Sequence, residues 1–397
     1  MSKPITIVGA GQLGGLLSYT MIKKGLNVRV IDSGSKFIRE NRQIPWGWLR
    51  KFSLQSELKK SIMVNEFPIP KIDIHENRGP MLITSKNNKS IYEWYKWIGK
   101  NPETDSRVIK PKEANKLFNI SEDYFEGKGG VYMCDSRDYL INFGKMNEYI
   151  WDYLASHKNC ELIQNCEVKS IEKEDGIATQ LITSHGNIKV DKLVMSVGNQ
   201  SQNFVDIVPK LNITLPYAFI DKIENKEFAS IWNKDSSISY FGNGDIKLAC
   251  GTQSIFDFRQ LNFNNALNFS KMGLSGLSNL NMGKTNEELI KSAEEELKLL
   301  SIMDKIRYDK VESCDIDLTP NLCPYIYFLP NAKNVLNVTG FSGSGSMIID
   351  PNFMNLLVDS VENEKLNRKL MGFEPSKNFL NNIFTPENKK TPLSSIV

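Results

Sequence analysis

Hydrophobic positions change their period twice within the first 32 residues. Ile5-Thr6-Ile7-Val8 is a short β-branched run with the density of a buried strand. Gly9-Ala10-Gly11-Gln12-Leu13-Gly14 follows at once, and Leu13, Leu16, Leu17 and Met21 then recur at helical spacing up to Lys23-Lys24-Gly25. Asn27 to Ile31 is a second apolar run that ends on Asp32, 23 positions after Gly9. The pattern predicts strand, tight turn, helix, glycine stop and strand.

Later segments read mainly as strands. Glu161–Ile163, Cys166–Ile171 and Ala178–Thr183 are short alternating runs joined by the polar turns KEDG and SHGN, and Lys192 to Val197 returns as a buried strand ending in Gly198. Gly244 to Gly251 reads as a strand carrying Lys247, and Asn334 to Thr339 as one ending in Gly340. An apolar helix is expected from Asn352. Gln260 to Lys284 is rich in Asn, Ser and Gly and reads as a long loop, either a surface insertion or a lid. Thr285-Asn-Glu-Glu288 then opens a helix through Leu300 with a capping-box pattern, and Thr385 to Val397 reads as a frayed tail.

The opening β-α-β unit suits a dinucleotide. Glycines let backbone approach a pyrophosphate, amides at the helix start face its charge, and Asp32 can accept from ribose hydroxyls. The unit alone does not separate FAD from NAD.

Composition narrows the classes further. At 397 residues, 41% hydrophobic and 24% charged, the chain suits a soluble protein of two or three domains. A net charge of +3 is far from the basic field of a nucleic-acid binder. Six cysteines are scattered without a CxxC pair and the three histidines lie far apart, so a zinc site is not expected and a reducing, cytoplasmic compartment is. The first residues read as a strand and not as a secretion signal, and no apolar run is long enough to cross a membrane.

The last hundred residues carry a resemblance. Cys314-Asp-Ile-Asp-Leu-Thr319-Pro320-Asn321 is followed by Gly340-Phe-Ser-Gly343-Ser-Gly345-Ser-Met347 and Pro351. Together with the opening unit this resembles the FAD-dependent amine and amino-acid oxidases of the D-amino-acid oxidase and glycine oxidase group, and most closely the monomeric sarcosine oxidase and N-methyltryptophan oxidase branch. Gly130-Val131-Tyr132 with Asp138-Tyr139, the strand around Val168, and Val194 to Gly198 match more loosely. Most of Lys51 to Asn119 and Gln260 to Lys284 match nothing in the family.

The resemblance implies that Gly9, Gly11, Gly14 and Asp32 hold the ADP half of FAD, with the Val168 backbone beside the adenine and Gly198 near the diphosphate and ribityl chain. Gly340, Gly343, Gly345, Ser346 and Met347 would hold the flavin edge. Cys314, five residues before Thr319, falls where the sarcosine-oxidase branch bonds flavin covalently, although a buried thiol is the alternative. Lys247 resembles the family lysine over the flavin that assists reaction with oxygen, with Ala249 the competing alignment on the same strand face. Arg50 matches an arginine near the ring. Three family positions differ: a second arginine falls at Ser53, a carboxylate-binding lysine at Met347 and a histidine at Ser344. Without paired cations to clamp a carboxylate, sarcosine itself is not the expected substrate. Trp46, Trp48 and Phe341 would supply an apolar pocket or simply core.

The expectation is therefore an α/β, two-domain flavoprotein. Residues 1–55, 130–210 and 310–397 would form a discontinuous, Rossmann-like FAD domain. Residues 56–129 and 211–309 would form a substrate domain on a mainly antiparallel sheet. The expected reaction is oxidation of an amine or amino-acid derivative by hydride transfer to flavin, with O2 as the final acceptor and no nucleic-acid or membrane partner. Rival readings are an FAD dehydrogenase or tailoring enzyme with another acceptor, an NAD-dependent opine or hydroxyacid dehydrogenase, and a redox-silent flavin-binding protein.

Overall fold

The computed structural model describes residues 3–34, 48–49, 74–76, 81–85, 107–118, 122, 130–133, 139–141, 143–204, 211–220, 230–233, 236–240, 246–250, 255–256, 308–318, 324–341 and 345–375. Two large sheets dominate it. The first has six strands in the order β20 (Tyr325–Leu329), β21 (Ala332–Thr339), β13 (Lys192–Met195), β1 (Ile5–Val8), β2 (Val28–Ile31) and β9 (Cys160–Ile163). From β21 to β9 every pairing is parallel, and β20 alone runs antiparallel at its edge.

The pleat of this sheet divides the core. Ile5 and Ile7 face one layer, where helices α1 (Gln12–Lys23), α3 (Phe143–Ser156) and α5 (Pro351–Glu362) bury Leu16, Leu17, Ile150, Trp151, Phe353 and Leu357. Val8, Leu193 and Met195 face the other, against the antiparallel meander β10 (Val168–Glu174), β11 (Ile177–Thr183) and β12 (Gly186–Lys189). Asn334, 3% exposed, locks meander to sheet: its side chain accepts from the Ala178 amide at 2.8 Å and donates to the Ala178 and Asp191 carbonyls at 2.8 and 2.6 Å. Asp350 caps α5 by accepting from the amides of Asn352 and Phe353, with Pro351 at the first helical position.

The second sheet has nine strands: β18 (Ile255–Phe256), β14 (Leu211–Ile220), β17 (Ile246–Cys250), β16 (Ser236–Tyr240), β15 (Ser230–Asn233), β5 (Met81–Ser85), β7 (Gly130–Met133) and β6 (Arg107–Ile109), with β19 (Tyr308–Leu318) on the other side of β14. It is antiparallel except for the β15–β5 pair. The α/β class, with a parallel sheet beside a largely antiparallel one, is the predicted architecture. Gly130–Met133 and residues 310–318, which the sequence groups with the FAD segments, are hydrogen-bonded into this second sheet. A short sheet of β3 (Trp48–Leu49), β8 (Tyr139–Ile141) and β4 (Ile74–Glu76), and helices α2 (Pro111–Phe118) and α4 (Gly345–Ile348), complete the described strands and α-helices.

Several described segments carry no element in the sequence reading, and two of them frame the parallel sheet. β12 is a short edge strand of mostly exposed, polar residues, so no alternation marks it. α3 is aromatic-rich, and Met146, Ile150, Trp151 and Leu154 recur on it at helical spacing and bury in the layer that holds α1, a stripe the sequence reading left unassigned. The loop at Gln260–Lys284, the helix at Thr285–Leu300 and the tail from Thr385 lie outside the described residues.

Candidate cofactor crevice

Parallel strands place their carboxyl ends along one edge, and that edge is where open α/β sheets bind ligands. β1 leaves into Gly9, β2 into Asp32, β13 into Ser196-Val197-Gly198, and β21 into Gly340-Phe341. Residues separated by more than 300 positions thus meet along one crevice.

The three glycines of the first turn have different physical reasons. Gly9 holds φ at +95°, and a Cβ there would sit 2.6 Å from the Ser196 carbonyl oxygen. A Cβ on Gly14 would lie 1.8 Å from the Gly9 carbonyl oxygen and 2.4 Å from Ser196 Oγ, so this glycine is demanded by the packing of α1 on its own turn. Gly11 is unlike both. It caps α1 with φ −67° and ψ −169°, ordinary extended backbone, and a Cβ there would meet nothing within 4 Å. Among the described residues no neighbouring atom requires a glycine at 11, whereas a pyrophosphate lying against the helix amides would.

Around that opening the backbone is held firmly. Asp32, 2% exposed, accepts from the Ala10 amide at 2.6 Å through Oδ2 and from the Gly34 amide at 2.7 Å through Oδ1. The predicted ribose acceptor therefore also braces the glycine turn. Ser196 Oγ lies 2.9 Å from the carbonyls of both Val8 and Gly9, and Trp151 on α3 donates from Nε1 to the Ala10 carbonyl at 3.2 Å. On the far side of β2, the Cys166 amide donates to the Asp32 carbonyl and the Asn165 amide to the Gly34 carbonyl, which brings the segment leading into Val168 beside the β2 exit.

The Gly198 exit is tied to the Gly340 exit. Thr339 Oγ1 donates to the Gly198 carbonyl at 3.1 Å and lies 3.0 Å from Ser201 Oγ in the following 3-10 turn, Gly198–Asn203. β19 of the nine-stranded sheet runs against that turn. Sequence reasoning missed Ser196, Ser201, Thr339 and Trp151. The small hydroxyls in VMSVG and NVTG, directly ahead of strand-exit glycines, were the available signal.

The remaining predicted residues fall as follows. Gly345 and Ser346 open α4, while Met347 in the same turn is fully buried in the helix-side core, and Phe341 packs on Phe353 with ring centroids 5.8 Å apart. Cys314 pairs with Leu215 and Lys247 with Phe219, on opposite sides of β14. Arg50, Ser53, Trp46, Gly343, Ser344 and Thr319-Pro320 lie outside the described residues. Of the described cysteines, Cys166 is buried, and burial beside Glu161 pushes the Cys160 thiol up to about 11. No helix among the described residues is long and apolar enough to cross a membrane.

The family model of FAD dependent oxidoreductases (DAO) matches residues 4–349. The chain belongs to this family. Its members use FAD, which resolves the choice that the opening unit leaves open. No curated protein matches the chain by sequence. Among solved structures, L-amino acid deaminase from Proteus myxofaciens in complex with anthranilate is similar at TM-score 0.71 and 15% identity, over 94% of this chain and 93% of that one. L-proline dehydrogenase from P. horikoshii matches at 0.69 and 15%, over 94% and 97%, and glycine oxidase from Bacillus cereus ATCC 14579 at 0.69 and 15%, over 95% and 99%. These likenesses establish the fold.

Proposed function

We propose that the chain oxidises a C–N bond of an amine or amino-acid derivative, with FAD held along the strand exits. The observation that carries this reading is the open space at Gly11, in a turn otherwise packed to contact. FAD when bound supplies a two-electron acceptor: hydride from the carbon beside nitrogen leaves an imine for water to hydrolyse, and O2 takes the electrons away as hydrogen peroxide.

The chain's own residues then have distinct tasks. Amides at the start of α1 face the pyrophosphate, and Asp32 accepts from the ribose while holding the turn. The Gly198 and Gly340 exits, joined by Thr339, let backbone lie against the ribityl chain and the ring. Lys247 would hold a positive charge where negative charge develops on oxygen, and Arg50 would face the ring. Cys314 would attach the flavin covalently in the manner of sarcosine oxidases. Binding the amine uncharged removes the need for a strong base. The scattered cysteines suit a reducing, cytoplasmic setting.

The test is anaerobic bleaching of the bound flavin by a panel of secondary, cyclic and primary amines beside sarcosine and glycine. Bleaching by at least one amine, followed by recolouring and peroxide on admission of air, is expected. Failure of every amine to bleach a flavin that dithionite reduces would overturn the reading. For Cys314, acid precipitation should leave the yellow colour in the pellet, and Cys314→Ser should release it.

A further inference from the structure

Three consecutive peptide groups cross the glycine turn, and each has a different set of partners. In the Gly9–Ala10 peptide both ends are taken by protein: the Gly9 carbonyl lies 2.9 Å from Ser196 Oγ, and the Ala10 amide donates to Asp32 at 2.6 Å. In the Gly11–Gln12 peptide the Gly11 carbonyl accepts from the Gly15 amide at 2.8 Å, the first rung of α1. The helix itself therefore fixes that group. The Ala10 carbonyl lies one residue ahead of the ladder, and its partner is the Trp151 indole, 3.2 Å from Nε1.

That contact sets the direction of the next amide. The described peptide bonds are all trans, and in a trans peptide the C=O and N–H point opposite ways. By taking the Ala10 oxygen, the indole aims the Gly11 N–H away from α3. Among the described residues this N–H meets no acceptor, nor does that of Gln12, and no side chain caps α1. Gly11 and Gln12 are part-exposed between buried Ala10 and Leu13, so both amides stand at an opening in an otherwise closed turn.

The sequence brings the indole to this place through a glycine. A Cβ on Gly15 would lie 3.0 Å from Ile150 Cγ2, so its absence lets α3 approach α1 closely beside the turn. Trp151, the next residue on α3, is 2% exposed and has a single donor, which must find an acceptor when buried. Packing of the ring and orientation of the peptide are thus achieved by one side chain.

We propose that Trp151 is a positioning residue for the cofactor: by holding the Ala10 carbonyl it presents the Gly11 amide, beside that of Gln12, as a preorganised donor to the pyrophosphate. The inference rests on the cofactor reading above and assigns α3 a part in it. Without the indole N–H, the Ala10–Gly11 peptide is free to tilt, and binding must first align it.

The experiment measures binding of FAD, ADP and adenosine to the apoprotein by calorimetry. ADP carries the pyrophosphate without the flavin, and adenosine lacks both. Trp151→Phe should weaken FAD and ADP by the same roughly three- to tenfold and leave adenosine unchanged. Replacing Trp151 by 3-(3-benzothienyl)alanine, which keeps the bicyclic shape and has sulfur in place of N–H, should do the same and decides the matter if Trp151→Phe does not fold. In protein labelled at glycine amides, the resonance that Gly11→Ala removes should move on ADP binding in the unmodified chain and move less in the Trp151 variant. Unchanged ADP affinity in a folded variant, or an equal loss for ADP and adenosine, would overturn the proposal and leave the cofactor reading standing. An unmodified chain that binds neither FAD nor ADP would count against the cofactor reading itself.

Discussion

Gly11 and Gly14 stand three residues apart in the same turn, and replacing each by alanine should fail in different ways. At Gly14 the new methyl would lie 1.8 Å from the Gly9 carbonyl oxygen, and backbone must move by more than an ångström to relieve it. Forced overpacking costs about 1–3 kcal/mol even where side chains give way, so a backbone clash should cost at least about 3 kcal/mol. At Gly11 the new methyl meets nothing within 4 Å and the backbone is already extended. Exchanging Gly for Ala at a helix N-cap costs about 0.5–1 kcal/mol. Restricting the unfolded chain returns about 0.4–1 kcal/mol, which leaves Gly11→Ala near neutral for the apoprotein. Its effect should appear on the cofactor: displacing a pyrophosphate from one charge-assisted amide hydrogen bond, worth about 1.5–3 kcal/mol, weakens FAD binding by roughly 10- to 100-fold. Urea denaturation of each apoprotein and fluorescence titration with FAD separate the two. The reasoning fails if Gly11→Ala unfolds as readily as Gly14→Ala, or if it binds FAD as tightly as the unmodified chain.

Two further outcomes concern the frame of the crevice. Ser196→Ala removes the hydroxyl that lies 2.9 Å from the Val8 and Gly9 carbonyls, and should cost about 1–2 kcal/mol in denaturant unfolding with a parallel loss of FAD affinity; an unchanged unfolding midpoint would show that the hydroxyl does not brace the turn. In alkali, stability should fall as pH rises from about 9 to about 11. The Cys160 thiol stays neutral in the fold up to about 11 against an ordinary 9.0, so the unfolded chain releases its proton first. Tyr19, pushed up to about 12 by burial and by its bond to Tyr149, extends the decline. Cys160→Ala should flatten the lower part of the thermal midpoint curve, and a curve identical to that of the unmodified chain would refute the assignment.

The parts of the site that were legible in the sequence are those written locally. Strand, glycine turn, helix and Asp32 follow one another within 28 residues from Ile5, and each step has its own period or turn residue. The meander was legible for the same reason: Asp175, Gly176 and Gly186 hold positive φ where the polar turns stand. Side chains that join distant exits were not. Ser196 is 187 positions from the Gly9 carbonyl it contacts, and Thr339 is 141 from Gly198. No pattern within either strand announces the partner.

The crevice at the strand exits has one defining property, the dinucleotide it holds. The visible absorbance spectrum of the purified protein, after incubation with FAD and removal of excess, tests it most directly. Two flavin bands at near one equivalent per chain, lost in a Gly11→Val variant that still folds, are the predicted result. A colourless protein that folds and instead retains NAD, or a Gly11→Val variant as yellow as the parent, would contradict it.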